Sequence, residues 1–586
     1  MSGGLWSPEI RTGLNLLGRT LRGYPRVATF AILGALLWMA LVVAIPYIVK
    51  LIVDEAILPG DEDTLIGLVA ALVLAGAIQA IGIGTRRFFG FKLSYRAEAD
   101  LRESLFAHIQ RQAFAFHDET PTGQLMARAS SDLSQIRLIL AMLPITVANL
   151  VMFGVVIVVL IIIDPVLGVV AGLTVPLLFL TANRYAGRVI GVSFRIQQKL
   201  ADLSQVVEEA VGGIEVVKSY AQEDQEQRRL DESASGIYDD TLTLARENSA
   251  FAPLFELIPA FGTVAVLWIG GFRVVDGAIS LGDFVAFTQY LAVLVLPLMI
   301  TGWFFANVPR AAAAATRVED LMAAAPLIQD PKQPVPLRIG PGEIRFEGVR
   351  FGYPGGESVL DGVDLVIPGG TSVAVVGATG SGKTTFAHLI PRFYDVDDGA
   401  ILLDGADIRD VRLDDLRGEV SVVFQETFLF SASITDNILV GDAGASDRRV
   451  RAAARLAQAH DFICELPEGY DTIVGERGAT LSGGQRQRVA LARGVVRDPR
   501  VLILDDATSS VDALVEAEIQ SALRHVMDGR TTVVIAHRTS TLALVDLVVF
   551  LERGKVVAFG THSDLLATVP RYAEVLARDE AVEGAL

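Results

Sequence analysis

The sequence predicts a multidomain chain in which an all-α domain of six membrane-crossing helices is followed by an α/β domain. Three observations carry this expectation. Apolar residues concentrate before about residue 310, in runs long enough to cross a hydrocarbon core of roughly 30 Å. After Leu321 the segment AAAPLIQDPKQPVPLRIGPGEI interrupts every periodic pattern with clustered prolines and glycines, as a linker does. Beyond it, short strand-like apolar runs alternate with helical stretches. The expected division is an amphipathic segment over 1–26, a membrane domain over 27–320, a linker over 321–343 and the α/β domain over 344–586.

The six spans are expected at 27–49, 65–83, 138–163, 166–180, 251–272 and 284–305. Arg19, Arg22 and Arg26 precede the first; Arg86, Arg87, Lys92 and Arg96 follow the second; Arg184, Arg188, Arg195 and Lys199 follow the fourth; Arg310 and Arg317 follow the sixth. The opposite loops are DEAILPGDED, the Asp164-Pro165 turn and FRVVDGAIS, so the positive-inside rule puts both termini in the cytoplasm. Between spans two and three, and again between four and five, apolar residues recur at helical spacing among many charges, which predicts long helical extensions into the cytoplasm. The segment 9–22 is charged and amphipathic without a cleavage site, which suits a helix lying along the inner membrane surface rather than a signal peptide.

A net charge of −18 without a Lys/Arg-rich run speaks against a nucleic-acid partner. The single cysteine, Cys464, excludes an internal disulfide framework and a cysteine-based metal cluster.

The chemistry gathers in the second half. The strands are expected in IRFEGVRFGY, VDLVIP, TSVAVVGA, GAILLDG, VSVVFQ, VLILDD, TTVVIAH and LVVFLERGKVVAFG. Residues 377–384 read GATGSGKT between a strand-like VAVV and a helical run, the setting of a phosphate-binding loop. There the backbone N–H groups of Gly377, Ala378, Thr379, Gly380, Ser381 and Gly382 converge on phosphate oxygens at a helix start. Lys383 neutralises the β and γ phosphates, and Thr384, followed by Thr385, can ligate Mg²⁺ through its hydroxyl. About 120 residues later the buried strand VLILDD delivers Asp505, a carboxylate placed to hold the Mg²⁺ of a bound nucleotide. Between them, LSGGQRQRVALARG opens a helix at Ser482, Gly483 and Gly484 and offers a second anion cradle that a single-site NTPase does not need.

On these motifs the chain resembles, over nearly its whole length, an exporter-type half-transporter of the ATP-binding cassette superfamily, and its α/β domain the ABC ATPase type. The resemblance implies that two nucleotide domains pair head to tail, each ATP held by the phosphate loop of one and the LSGGQ of the other. It implies that Tyr353 in FGYP stacks on adenine, that Gln425 in VVFQ senses Mg²⁺ and the attacking water, and that His537 in VIAHR contacts the γ phosphate. Gln485 then belongs to the second cradle, and Asp512 in SSVD sits at the dimer seam. The segment 475–478, GERG, and the excursions FHDETPTGQLMARASSDL and VEEAVGGIEVVKSYAQEDQEQ resemble parts through which similar exporters pass motion between ATPase and membrane domains.

One position departs from the pattern. After the metal-binding Asp505 active relatives carry glutamate, as general base or water-orienting group; this chain has Asp506. Its carboxylate is one methylene shorter, a retreat of roughly 1.5 Å, and misplacement of that order costs about a hundredfold in rate. A local backbone shift is the alternative that would restore reach. In similar heterodimers one half combines a weakened catalytic position with an intact LSGGQ, which implies a heterodimer with a second half-transporter. A homodimer is the other arrangement open to it.

Few polar residues lie in the spans: Gln79, Asn149, Glu256, Gln289, Tyr290 and Trp303. An apolar cavity so lined suits a small amphipathic or hydrophobic cargo, such as a drug, lipid or hydrophobic peptide. Glu256 serves either a cation or proton, or reaches water near the helix end. Two other functions fit the same domains, an importer of metal chelates and a non-pumping ATP-gated regulator or channel. Abundant Ala, Arg and Gly with little Lys suggest a bacterial inner membrane.

Overall fold

The computed structural model describes residues 8–475, 478, 480–505, 513–536 and 539–583. The chain forms two compact units, one of Met1–Gln110 with Thr122–Ala324, the other of Arg111–Pro121 with Ala325–Leu586.

The first unit is helical. A short helix α1 (Pro8–Arg22) leads into α2 (Pro25–Leu51), started by a proline at its first position and extended by a π-helical turn, Ile52–Ile57. Next come α3 (Glu62–Gln110), the short α4 (Phe114–Glu119) that belongs to the second unit, and α5 (Thr122–Ala127), whose π-helical turn Arg128–Asp132 continues into α6 (Leu133–Ile163). The long α7 (Pro165–Gly212), the short α8 (Ile214–Ser219), α9 (Glu223–Val275) and α10 (Leu281–Ala323) complete it. Among the described residues, Pro25–Ile57, Glu62–Gln110, Thr122–Ile163, Glu223–Val275 and Leu281–Ala323 are long and apolar enough to cross a membrane. The remaining expected span falls on the start of α7, where the apolar stretch Pro165–Leu178 is shorter.

With all-apolar surfaces on offer, close backbone approach and a few polar ties specify which helices meet. A Cβ on Gly34 would stand 2.7 Å from the Arg86 nitrogen of α3, and one on Gly82 2.8 Å from that of Trp38 on α2. The α6–α7 turn is fixed by Asp164, which accepts from the Leu167 amide (2.9 Å) and pairs with Arg273 at the end of α9 (2.5 Å). At the α2–α10 junction, Asp54 accepts from the Ser280 hydroxyl (2.5 Å) and the Gly282 amide (2.8 Å), while Lys50 pairs with Asp283 (2.6 Å). Glu98 of α3 pairs with Arg137 of α6 (2.9 Å), and Asp132 with Arg317 of α10. Such part-buried pairs fix which helix faces meet, because removing one partner strands the other charge.

The amphipathic α1 buries Leu16 and Leu17 and meets the alanine run of α10, where Ala311, Ala312, Ala314 and Ala315 are fully buried. The approach requires glycine at position 13: a Cβ on Gly13 would stand 1.9 Å from the Ala312 carbonyl oxygen.

In the second unit a four-stranded antiparallel sheet in the order β2-β1-β4-β5 combines β1 (Ile344–Gly352), β2 (Ser358–Ile367), β4 (Asp398–Leu403) and β5 (Ala406–Asp407). A six-stranded sheet in the order β10-β9-β3-β8-β7-β6 contains β3 (Ser372–Val376), β6 (Val420–Val423), β7 (Val501–Asp505), β8 (Thr531–Ile535), β9 (Leu547–Glu552) and β10 (Lys555–Gly560). All its pairs are parallel except β9 with β10. Strands β3, β7 and β8 are buried at every residue, the expectation for a parallel sheet covered on both faces. Helices α11 (Lys383–Leu389), α12 (Leu413–Glu419), α13 (Ile434–Leu439), α14 (Asp447–Leu456), α15 (His460–Glu465), α16 (Gly483–Val495) and α17 (Ala513–Met527) fill the connections. Phe386 of α11 stacks on Phe346 of β1 at 4.3 Å and joins the two sheets in one core.

Gly13→Ala should lower the unfolding temperature of the detergent-purified chain, since overpacking costs about 1–3 kcal/mol. Gly18→Ala, on the same helix with nothing within 4 Å of the added carbon, should leave it unchanged or raise it. Equal effects of the two would contradict the close approach of α1 to α10.

Candidate nucleotide-binding site

The site is built at the C-terminal edge of the parallel strands, where open α/β sheets place their ligands. β3 ends at Val376 and hands over to the glycine-rich loop, and α11 begins at Lys383. Gly380 and Gly382 hold φ of +80° and +100°, which side-chain-bearing residues rarely adopt. Gly377 is required by space, since a Cβ there would stand 2.1 Å from the Leu551 carbonyl oxygen. Ala378, Thr379 and Gly380 are exposed on the rim. The buried Lys383 ammonium donates to the carbonyls of Gly377 (2.7 Å) and Ala378 (3.3 Å), curling back over its own loop. The Ser381 hydroxyl is buried and has no hydrogen-bond partner among the described residues.

A glycine-shaped cradle holding an ammonium and an orphaned hydroxyl fits a polyphosphate, because each of its polar groups can turn to an anionic oxygen. The exposed Thr384 at the start of α11 and Asp505 at the end of β7 are hard oxygen donors that could hold Mg²⁺.

Register brings the other groups to the same edge. Asp505 pairs with Ile535 of β8, and Val423 of β6 with Leu504, so the C-terminal ends of β6, β7 and β8 lie side by side. Gln425 is exposed just beyond β6. Asp506, Asp512 and His537 lie outside the described residues, as do the central two residues of the 475–478 segment, Glu476 and Arg477.

Sequence reasoning missed His388. It lies one turn after Thr384 on α11, with Nε2 3.7 Å from Asp505 Oδ2. Burial pushes its imidazole below the ordinary histidine range, against the opposing charge of Asp118. Its spacing of i, i+4 from Thr384 was a usable signal, since such residues share a helix face.

Tyr353, just beyond β1, packs edge-on against Phe351 and Tyr394 and its hydroxyl lies 3.0 Å from Thr385 Oγ1. Tyr394 reaches further, donating to Asp118 of α4 at 2.5 Å. Burial, with that carboxylate, raises the Tyr394 phenol well above its ordinary range. Phe114 of α4 stacks on Phe393 at 4.3 Å, and Ala115 is buried in the core. The first cytoplasmic excursion thus enters the nucleotide-binding unit itself, two residues away from the expected adenine partner.

The second cradle has its own support. Ser482 and Gln485 form a capping box at the start of α16, Ser482 Oγ accepting from the Gln485 amide (3.3 Å) and Gln485 Oε1 from the Ser482 amide (3.0 Å). Gly483 and Gly484 follow in the first turn, where backbone amides have no intrahelical acceptor. Arg493 at the far end of α16 donates to the carbonyls of Asn437 and Phe428, both at 2.9 Å, and Thr427 donates to Gln487. The LSGGQ helix is therefore fastened to the segment that follows Gln425.

In the helical unit, Asn149 and Tyr290 are buried and engaged between helices: Asn149 donates to the Pro297 carbonyl (3.4 Å) and Thr301 (3.3 Å), Tyr290 to the Val43 carbonyl (2.8 Å). Glu256 and Trp303 are exposed, whereas Gln79 and Gln289 are half-buried.

Comparison with known proteins agrees with this geometry. Residues 28–298 match the ABC transporter transmembrane region and residues 360–509 the ABC transporter domain. The chain is 36% identical over 93% of its length to a multidrug efflux ATP-binding/permease protein of Mycobacterium bovis, although it spans only 45% of that protein. It thus covers about half the length of that relative. It is 34% identical to an ATP-dependent lipid A-core flippase of Syntrophus aciditrophicus, covering 94% of this chain and 91% of that one. A solved structure of a bacterial Atm1-family ABC exporter with ATP bound superposes with a TM-score of 0.78 at 31% identity, over 95% of this chain and 98% of that one. The chain belongs to the ATP-binding cassette transporter family, with a helical transmembrane region followed by an ABC transporter domain, and its fold is that of an ABC exporter.

Proposed function

We propose that this chain is one half of an ATP-driven exporter of amphipathic or hydrophobic compounds, paired with an unlike half and hydrolysing ATP slowly at its own phosphate loop. The observation that carries the proposal is the union, in one chain, of membrane-length helices with a complete phosphate cradle and a separately braced LSGGQ helix. A second cradle has no use within one site, so it serves the ATP of a partner domain. The names of the relatives, a multidrug efflux protein and a lipid A-core flippase, support a cargo with an apolar body. Likeness to an exporter over 95% of the chain disfavours the importer reading. The arginines and lysines that flank the spans support a cytoplasmic location for both termini and the nucleotide-binding domain, and composition favours a bacterial inner membrane.

In this reading the Lys383 ammonium leaves the Gly377 and Ala378 carbonyls for phosphate oxygens, and Ser381 finds its missing partner there. Tyr353 offers its ring to the adenine. Thr384 and Asp505 hold Mg²⁺, which when bound neutralises phosphate charge. Gln425 orients the attacking water and His537 meets the γ phosphate. The shorter Asp506 carboxylate falls back from the water, so closure of the paired domains outlasts each event at the competent site, whose second wall is this chain's Ser482, Gly483, Gly484 and Gln485. Asp512 lies at the seam between the domains. Closure is passed on through α4, which is continuous in sequence with α3 and α5 and held by Tyr394.

ATP turnover of the chain alone in lipid should be negligible and should rise about a hundredfold in Asp506→Glu, given the rate cost of a misplaced base. Brisk turnover by a stable wild-type homodimer would sink the heterodimer reading. In the Asp506→Glu background, Tyr394→Phe removes a hydrogen bond to a charged group worth about 1.5–3 kcal/mol. Stimulation of turnover by amphipathic compounds should then fall, together with the unfolding temperature; full stimulation would remove Tyr394 from the coupling route.

A further inference from the structure

We infer that His388 is a positioning residue for the Mg²⁺-binding carboxylate, donating from Nε2 to the oxygen of Asp505 that faces it. The inference rests on the ATP-site reading given above. Thr384 and His388 are four residues apart on α11 and so project from one face, one turn apart. The first is the hydroxyl expected at the metal; the second meets Asp505, the carboxylate expected there. Nε2 is 3.7 Å from Asp505 Oδ2, beyond a hydrogen bond, and has no hydrogen-bond partner among the described residues although it is buried. Buried ring nitrogens in folded proteins are seldom left without one. Among the described residues, Asp118 acts on the imidazole as a nearby charge without a hydrogen bond to Nε2, and the imidazole meets Phe393 edge-on at 5.7 Å and Phe424 at 5.9 Å, neither of which supplies a strong acceptor. Packed between them, the ring is held with its nitrogen toward β7.

A carboxylate that binds a hard cation through one oxygen needs its other oxygen fixed, or it swings between ligating and non-ligating rotamers. Donors that do this are worth 10- to 100-fold in metal affinity. A modest turn of the Asp505 carboxylate closes the 3.7 Å gap to hydrogen-bond distance, and the ordering of that oxygen is the contribution assigned to His388. A residue present only to fill space between Phe393 and Phe424 would do the same work as phenylalanine. The two roles therefore separate by substitution.

The test is equilibrium binding of a fluorescent ATP analogue to the full chain in lipid nanodiscs, titrated with free Mg²⁺ and, by electron paramagnetic resonance, with Mn²⁺. His388→Phe keeps the packing and removes the donor; His388→Gln keeps an amide donor at the reach of Nε2; Asp505→Asn removes the carboxylate charge. His388→Phe should need about 10- to 100-fold more metal for half-saturation. His388→Gln should titrate close to the wild type, and metal-free analogue binding should be equal in all three, which reports an intact fold. His388→Phe titrating like the wild type while Asp505→Asn loses the metal would overturn the role of His388 alone. Equal weakening in His388→Phe and His388→Gln would overturn it too, because ring shape rather than a donor would then matter. Unaltered metal dependence in Asp505→Asn would overturn the Mg²⁺ site and the inference with it.

Discussion

Parallel pairing of β3, β8, β7 and β6 is the constraint on which the chemistry of this chain depends. Four strands running in one direction must all end at one edge, so the described residues at their ends come together, whatever their separation in sequence. The glycine-rich loop, Asp505 and Gln425 share that edge for this reason. Because strand interiors are mostly apolar, the polar groups of the site are carried by a strand end, a loop or a helix start. A one-residue slip of β7 against β8 that brought Leu504 to the position of Asp505 would remove the carboxylate from the edge, and it is close packing of unlike side chains on both faces that resists such a slip.

The second organising feature is the aromatic cluster at the start of the nucleotide-binding unit. Phe114, Phe393, Tyr394, Tyr353, Phe351 and Phe424 form a continuous set of ring contacts, and His388 is part of it. One end of this set holds α4 through the Tyr394–Asp118 bond; another reaches the phosphate loop through Tyr353 and Thr385. Rings packed in this way move together more readily than they deform, since interiors close to crystal density transmit strain. A segment of the first helical excursion is thereby built into the same core as the ATP-binding groups, with Ala115 as its buried anchor.

Much of this was legible in the sequence, and the parts that were not share a physical cause. The fold class follows from hydropathy and from strand-helix alternation, and the family and solved-structure matches bear it out. The glycine loop and the LSGGQ helix start are contiguous motifs, so local spacing alone placed them between strand and helix. Asp164-Pro165 was readable as a tight turn because its cap and its proline are adjacent. By contrast, Asp118 and Tyr394 are 276 residues apart, and no local pattern marks one as the partner of the other. Gly13 was equally silent, because its importance comes from a distant alanine run. Asn149 and Tyr290, singled out as cavity polar groups, prove to be buried ties between helices; polarity within a span does not say whether a side chain faces a cavity or a neighbour.

ATP binding by the full chain in lipid, compared between wild type and Lys383→Ala, tests the account most directly. Binding should be saturable, Mg²⁺-dependent and at one site per chain, and the substitution should abolish it, because the ammonium curled over Gly377 and Ala378 is the chief positive charge in the cradle. Unimpaired binding in Lys383→Ala would show that the nucleotide is held elsewhere, and the reading of this sheet edge as the ATP site would have to be abandoned.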